Sequence, residues 1–515
     1  MPKLNSENIQ KYYDYTAWLL IGSYFIALFI VNYIVAYPTD NDLDDVGWII
    51  ANLSWDRGES LANNSYPVGL PVLLKLVSPL LGGVLPAALL IASIATSIVV
   101  LLIYRLSRFC FEQPGVGLIA IVLAIPILFE AGTSEFADAT CTMFLFLGGY
   151  LLLVNQANIR GFFFLGLCIG AAYLFRYHYM SLLPVVGLLS ILFPGILLER
   201  TLRIAAFVLG MFLVASPQLT FNLMDHGSLL SHPYQSYVNG IFIHGELDFG
   251  RFLETYDNWP LSRVIAETTF MEYFSHVTDK LHDILKLPSI GLALIGLPIT
   301  LGLAKGLVQK HFLVFLFLTV ALYVAIIVVP SRYTYRSMIP TFAVAAMYLA
   351  PLLYLAFDKL KSRYRLFLFL PLLIGFMYSI TPINQGIDYI EDKHSNRTRN
   401  LKLLDELETH GMKTTQEVFT NYSNFFPLTD PAFITMHKQG SWMRLDSKFN
   451  KEYPDINQIV GLDAWESHFR SRGIRFAVLR KGRIHYQDFY SSRLKAPWKR
   501  VYSDRKFVIV KLLNR

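Results

Sequence analysis

Long apolar runs separated by short polar segments dominate this chain, the pattern of repeated membrane crossing. A helix needs about 20 apolar residues to span a bilayer. On that measure spans are predicted near 17–36, 84–104, 116–132, 136–154, 161–177, 180–197, 204–220, 287–304, 311–330, 334–357 and 366–382. The pair 161–177 and 180–197 also reads as one broken element. The first run follows polar residues and is followed by no small-residue cleavage site, so it reads as an anchor and not as a removed signal peptide. Two connecting segments are long, 37–83 and 221–286. In the first, Tyr66-Pro67-Val68-Gly69-Leu70-Pro71 opens an apolar run to Leu81 that Lys75 interrupts. That run is too short to cross comfortably and predicts an amphipathic helix lying along the interface.

From about residue 383 the pattern changes. Residues 400–410 have helical spacing of Leu401, Leu404 and Leu407, with Gly411 as the C-cap. Segments 417–421, 476–479 and 507–512 read as short buried strands. The expected architecture is a mostly α, polytopic membrane helix bundle of about 11 spans over 1–382, followed by a small soluble α/β domain over 383–515.

Composition agrees. Of 515 residues, 54% are hydrophobic and 16% charged, with mean hydropathy +0.42. An ordinary soluble protein is roughly 25% charged, so this chain lacks the charge to coat two soluble domains. A soluble enzyme, a disordered scaffold and a coiled coil are excluded. Cys110, Cys141 and Cys168 lie in or beside apolar stretches, which rules out a disulfide framework, and no CxxC pair suggests zinc. The net charge of +7 is uneven: residues 1–382 carry 22 Lys and Arg against 23 Asp and Glu, and the tail carries 23 against 15. The excess base suits an anionic membrane surface or acidic ligand, and no nucleic-acid motif accompanies it.

With the N-terminus inside, the inner segments hold Lys3, Lys11, Arg105, Arg108, Arg160, Arg200, Arg203, Lys305, Lys310, Lys359, Lys361, Arg363 and Arg365, while the short outer loops are nearly free of base. The tail then lies outside. Candidate chemistry gathers on that outer face. Asp40, Asp42, Asp44 and Asp45 fall within six residues directly after the first span. Like charges held close raise at least one pKa, which makes a usable general base; a solvated acidic loop is the plain alternative. The spacing of Asp40 and Asp42 also suits a divalent metal held by oxygen ligands. Glu130, Glu135 and Asp138 form a second acidic set at span ends. Arg176, Arg332 and Arg336 sit where the positive-inside pattern does not want them, and an arginine at a membrane edge points to function. Its planar fork suits phosphate, so a phosphate-bearing lipid substrate beside a carboxylate base is the chemistry suggested. His178 stands beside Arg176, whereas His226, His232 and His244 have no ligand-like spacing. Asn52, Asn63, Asn396 and Asn421 head glycosylation sequons that matter only in a eukaryotic host.

The order of these features resembles a known family. An acidic first outer loop, Tyr66-Pro67-Val68-Gly69-Leu70-Pro71, Thr133-Ser134-Glu135, Phe175-Arg176-Tyr177, then Arg332-Tyr333 leading to Ile339-Pro340 is similar to the GT-C membrane glycosyltransferases, and within them to the protein mannosyltransferase and aminoarabinose transferase-like branch. The tail resembles that branch's outer domain in Val418-Phe419-Thr420-Asn421-Tyr422 and Gly473-Ile474-Arg475-Phe476-Ala477-Val478-Leu479.

The resemblance implies a multi-pass enzyme of the plasma (inner) membrane, with its site and tail on the periplasmic or extracellular side, lumenal in a eukaryote. It implies inverting transfer of a hexosyl or pentosyl group from a polyprenyl-phosphate donor to a glycan, lipid or protein acceptor. Family members place an acidic pair after the first span, with the leading aspartate as base. Here that pair is Asp44-Asp45, with Trp48 where tyrosine is usual and Asp-Asp in place of the Asp-Glu of many members; Asp40 and Asp42 are rival alignments. Arg176, Arg332, Arg336 and His178 are the expected donor-phosphate residues, and Glu135, Asp138 and Tyr66 are expected on the acceptor side or behind the reacting groups. No cofactor is required by this reading, and a divalent metal at Asp40 and Asp42 stays an alternative. Two other classes share the topology. A transporter would place ionisable groups near the midplane in broken helices, often with repeats. A non-enzymatic envelope assembly protein would not need an acidic loop opposite arginines.

Overall fold

A computed structural model describes residues 6–35, 67–81, 84–111, 113–133, 137–226, 229, 288–324, 338–359, 401–413, 417–420, 461–482, 489 and 494–513, with isolated positions at 263, 266, 267, 278, 395, 398 and 399. The chain divides into two compact units, one holding residues 1–32 and 66–388 and the other residues 389–515 together with 33–65.

The first unit is helical. Its elements are α1 (Ser6–Ile30), which runs on as a π-helical turn at Val31–Val35, then α2 (Gly69–Leu81), α3 (Val84–Cys110), α4 (Pro114–Gly132), α5 (Asp138–Val154), α6 (Ile159–Phe175), α7 (Leu182–Leu189), α8 (Leu197–His226), α9 (Pro288–Leu303), α10 (Leu307–Tyr323) and α11 (Ile339–Lys359). Each predicted span up to 334–357 overlaps one of these helices, 180–197 mainly through the eight residues of α7, while 325–337 and 366–382 lie outside the described residues. Three described stretches are long and apolar enough to cross a membrane, Gln10–Tyr33, Ala87–Cys110 and Leu197–Met224, while other apolar helices have 10–17 residues. The pair that also reads as one broken element is interrupted at Arg176. Helix α6 stops at Phe175, Arg176 is extended (φ −150°, ψ 120°), and a 3₁₀ turn at Tyr177–Ser181 leads into α7.

Helix α2 covers the short apolar run expected to be helical near 67–81. Its inner face is Leu70, Pro71 and Leu74, while Leu76 and Leu80 are exposed, an apolar outer face suited to lipid. Helices α6 and α8 pack through glycine. A Cβ on Gly166 would stand 2.1 Å from the Phe207 carbonyl oxygen, one on Gly170 2.5 Å from that of Met211, and one on Gly210 2.3 Å from that of Phe163. Gly166-Leu167-Cys168-Ile169-Gly170 is a GxxxG stripe, which lets two backbones touch where lipid offers no hydrophobic driving force. The three cysteines are free and buried, as read from their apolar surroundings.

The second unit holds a four-stranded sheet in the order β1-β2-β4-β3. Strands β1 (Val418–Thr420) and β2 (Phe476–Arg480) are parallel, and helix α12 (Leu462–Arg472) lies between them in the chain. Strands β3 (Trp498–Ser503) and β4 (Phe507–Leu512) form an antiparallel hairpin, and β4 also pairs antiparallel with β2. Trp465 and Phe469 of α12 pack with Phe419, Phe489 and Trp498 in one aromatic core. Gly473 (φ +70°) ends α12, with Ile474 N–H donating to the Phe469 carbonyl at 2.9 Å. This is the six-to-one closure that favours glycine. Gly411 (φ +88°) closes the 401–409 helix in the same way, through Met412 N–H and the Leu407 carbonyl. That helix buries Leu403 and Leu407, whereas Leu401 is 47% exposed. The expected face of Leu401, Leu404 and Leu407 is thus turned by one position, because two buried contacts four residues apart suffice for a helix this short.

Candidate active site

Three anchors converge at one end of the helical unit. The first ends α1. Asn32, buried in the π-helical turn, donates through Nδ2 to Ser93 Oγ (2.9 Å) and to the Gly132 carbonyl (2.9 Å), and Ser93 Oγ donates to the same carbonyl at 3.2 Å. A single amide so joins the end of α1, α3 and the last turn of α4. The acidic loop leaves from this point in the sequence.

The second anchor starts α2. Val68 N–H donates to Gln218 Oε1 on α8 at 2.8 Å. A Cβ on Gly69 would stand 2.4 Å from the Leu174 carbonyl oxygen of α6, so only glycine allows this approach. The glycine of the Tyr66-to-Pro71 motif therefore has a packing reason: it seats α2 against the end of α6.

The third anchor is an ion pair. Arg176 Nη2 donates to Asp138 Oδ2 at 2.8 Å, with side-chain exposures of 17% and 9%. Asp138 is the first residue of α5, where the helix dipole favours an acid. Arg176 caps α6, its own N–H donating to the Ala172 carbonyl at 3.0 Å. Its extended backbone aims the guanidinium sideways off the helix end, back towards α5. Buried Tyr179 and Tyr323, in side-chain hydrogen bond with each other and with rings 5.9 Å apart, lie within electrostatic reach of Asp138. Cys141 Sγ donates to the Ala172 carbonyl at 3.5 Å and completes the corner.

Of the residues anticipated from sequence, the structure brings Arg176 and Asp138 together. His178 lies in the 3₁₀ turn behind them, with only its backbone described, as for Glu130 at the end of α4. Asp40, Asp42, Asp44, Asp45, Trp48, Tyr66, Glu135, Arg332 and Arg336 lie outside the described residues. Among the described residues no three His, Cys, Asp or Glu side chains gather to hold a metal. The amides Asn32, Gln218 and Asn222 were not singled out from the sequence. Their signal was present: polar residues inside apolar spans, two of them four apart on one helix face.

Residues 65–221 match the family model described as dolichyl-phosphate-mannose-protein mannosyltransferase. That segment contains α2, Asp138, Arg176 and Gln218. Among solved structures, the chain is similar to ArnT from Cupriavidus metallidurans in its apo state, at TM-score 0.59 and 12% identity over 96% of this chain and 98% of that one. The same protein bound to undecaprenyl phosphate aligns at TM-score 0.56 and 11% identity, again over 96% and 98%. At such identity the likeness is one of fold. No curated protein matches the chain. Matched segment and shared fold agree with the class that the motif order pointed to, and the apolar helices make this a multi-pass membrane protein. Over residues 65–221 it is similar to the mannosyltransferase model, and over nearly its whole length it shares the fold of ArnT.

Proposed function

We propose that the chain is an inverting membrane glycosyltransferase that moves a sugar from a polyprenyl-phosphate donor to a glycan, lipid or protein acceptor outside the cytoplasm. The observation that carries this reading is the Asp138–Arg176 pair at a corner where α2 meets α6, inside the segment that matches the mannosyltransferase model. The undecaprenyl phosphate bound by the structurally similar ArnT supports a lipid-phosphate donor.

In this mechanism Asp44 accepts the acceptor's proton as the acceptor oxygen attacks the anomeric carbon from the face opposite the phosphate. The carbon–oxygen bond to phosphate breaks, its electron pair stays on the phosphate oxygen, and inversion follows from the opposed faces. Positive groups placed where that charge develops stabilise the transition state. Asp138 already pairs with Arg176, so in this reading the leaving phosphate falls chiefly to Arg332 and Arg336. These two are four residues apart and so share a face if helical. Arg176 then contributes by fixing the corner and by offering its fork when phosphate competes with Asp138. A divalent metal at Asp40 and Asp42 is the alternative source of positive charge.

The test is initial rate of transfer from radiolabelled polyprenyl-phosphate sugars by purified protein. Asp44→Asn is expected to abolish turnover. A charge-assisted hydrogen bond contributes about 1.5–3 kcal/mol, so Arg332→Ala should lower the rate on the order of tenfold to a hundredfold, and Arg332→Lys should weaken donor use. Full activity in Asp44→Asn, Asp42→Asn and their double variant would remove catalysis from the acidic loop.

A further inference from the structure

A glutamine deep in an apolar helix needs a reason. Gln218 is wholly buried in α8, and every polar atom of its amide has a partner on a described element. Its Oε1 accepts from Val68 N–H at 2.8 Å; its Nε2 donates to Tyr177 Oη at 3.3 Å and to Asn222 Oδ1 at 2.8 Å. Asn222, also buried, donates through Nδ2 to Tyr173 Oη and to the Leu229 carbonyl, both at 3.1 Å. Val68 N–H must donate, which assigns oxygen and nitrogen in the Gln218 amide.

The partners are placed with purpose. Val68 is the residue from which α2 departs, and its carbonyl closes the first turn by accepting from Val72 N–H at 3.0 Å. Tyr177 directly follows Arg176 and its ring meets that of Tyr173 edge-on at 6.0 Å. One side chain therefore ties the start of α2 to the neighbour of the ion-paired arginine. Pro217 precedes it inside α8 and has no N–H for the Leu213 carbonyl, which accepts from Ser216 Oγ at 2.9 Å instead. Gly69 closes the same joint from the side of α6.

We infer that Gln218 is a positioning residue for the donor site, the buried joint that holds the start of α2 in register with Arg176. This rests on the transferase reading above and deepens it: α2 forms one wall for the prenyl-phosphate donor, and Gln218 sets the spacing of that wall from the corner. Without the amide, α2 keeps its packing through Gly69 but loses its fixed starting point, so donor binding suffers and the reacting groups do not.

The experiment uses the full chain in detergent or nanodiscs with two variants. Gln218→Met keeps length and removes the amide. Gly69→Ala leaves the amide and pushes α2 off Leu174, so the test survives a Gln218 variant that fails to fold. For both, KM for the polyprenyl-phosphate sugar should rise about tenfold with kcat within about threefold, the pattern of lost uniform binding. Amide exchange across 68–74 should accelerate in both. An unchanged donor KM in both variants of an active enzyme overturns the inference, as does unchanged exchange in Gln218→Met. Wild-type protein that transfers no sugar from any polyprenyl-phosphate donor overturns the functional reading itself, and the donor role of Gln218 with it.

Discussion

Two Asp–Arg pairs sit at opposite ends of the helical unit, and they differ in what surrounds them. At one end Asp14 of α1 pairs with Arg108 in the last turn of α3, with side-chain exposures of 34% and 19%. Tyr104 Oη donates to the same carboxylate at 2.7 Å, Arg108 lies over the Tyr104 ring at 5.7 Å, and Arg105 lies over Trp18 at 5.9 Å. Lys11 and Lys305 belong to the same basic side of the loop pattern. Trp18 is half-exposed while Tyr104 is buried, and base is collected on this side, as in an interfacial anchor. At the other end the arginine is nearly as exposed as its counterpart but the acid Asp138 is far more deeply buried, both residues sit at helix termini, and the buried amides Asn32 and Gln218 pin the neighbouring helices. An acid and a base in contact do not by themselves mark a site; what sets the Asp138–Arg176 pair apart is its place at helix ends beside a helix whose start is gripped by another.

The sharpest way to break this comparison is to remove each acid. Asp138→Ala leaves a buried guanidinium without its carboxylate, which costs about 3 kcal/mol, and should abolish transfer by releasing the corner. Asp14→Ala, where the lost carboxylate is one-third exposed, should cost less, about 1 kcal/mol, and keep turnover. Thermal unfolding in detergent and a transfer assay on the folded fraction measure both; equal effects at the two ends would erase the distinction.

A smaller effect is expected where α6 and α8 touch, since that contact carries Gln218 to Tyr177. Gly170→Val places side chain against the Met211 backbone and should destabilise by about 1–3 kcal/mol through overpacking. Gly187→Ala, with nothing within 4 Å of the added carbon, should unfold at or slightly above the wild-type temperature. A Gly170 variant as stable as the Gly187 one would show that the two backbones do not meet.

The smallest effect extends the comparison to an acid outside the helical unit. Burial pushes the Asp504 carboxyl upward, but N–H donors of Phe507 and Lys506 and the Tyr502 hydroxyl outweigh it and hold the pKa below the usual carboxylate value. A depressed folded pKa contributes stability that is fully present above the unfolded value, about 3.9, and is lost as pH falls through the folded one. Exchange protection of the β3–β4 hairpin should therefore weaken as pH drops below about 4, and Asp504→Asn should flatten that dependence. Identical pH profiles for the two proteins would remove Asp504 from the acid response.

In the tail, β1, β2 and β4 were legible because buried strands are continuous apolar runs. Strand β3 was not: Trp498-Lys499-Arg500-Val501-Tyr502-Ser503 buries only Trp498 fully and carries a register shift between Arg500 and Tyr502. Its charges suit the edge of the sheet, where lysine and a bulge discourage further pairing, and so they hide it from a hydrophobic pattern. Helix α12 escaped for a related reason. Its buried face is Trp465 and Phe469 amid charged neighbours, too few apolar positions to stand out over 11 residues.

For the helical unit, the sequence by itself determined membrane residence and the positions of the apolar helices, and it singled out Arg176 and Asp138 as charges in an apolar setting, because each follows from hydropathy. Only the tertiary structure decided that these two charges meet, that 161–197 breaks at Arg176, and that Gly69, Gln218 and Tyr177 form one joint. The reason is physical. Hydrophobic transfer acts residue by residue and can be summed along a chain, whereas a buried polar group is stable only with a specific partner. Here Val68 and Gln218 are separated by 150 residues, and no local pattern records that distance.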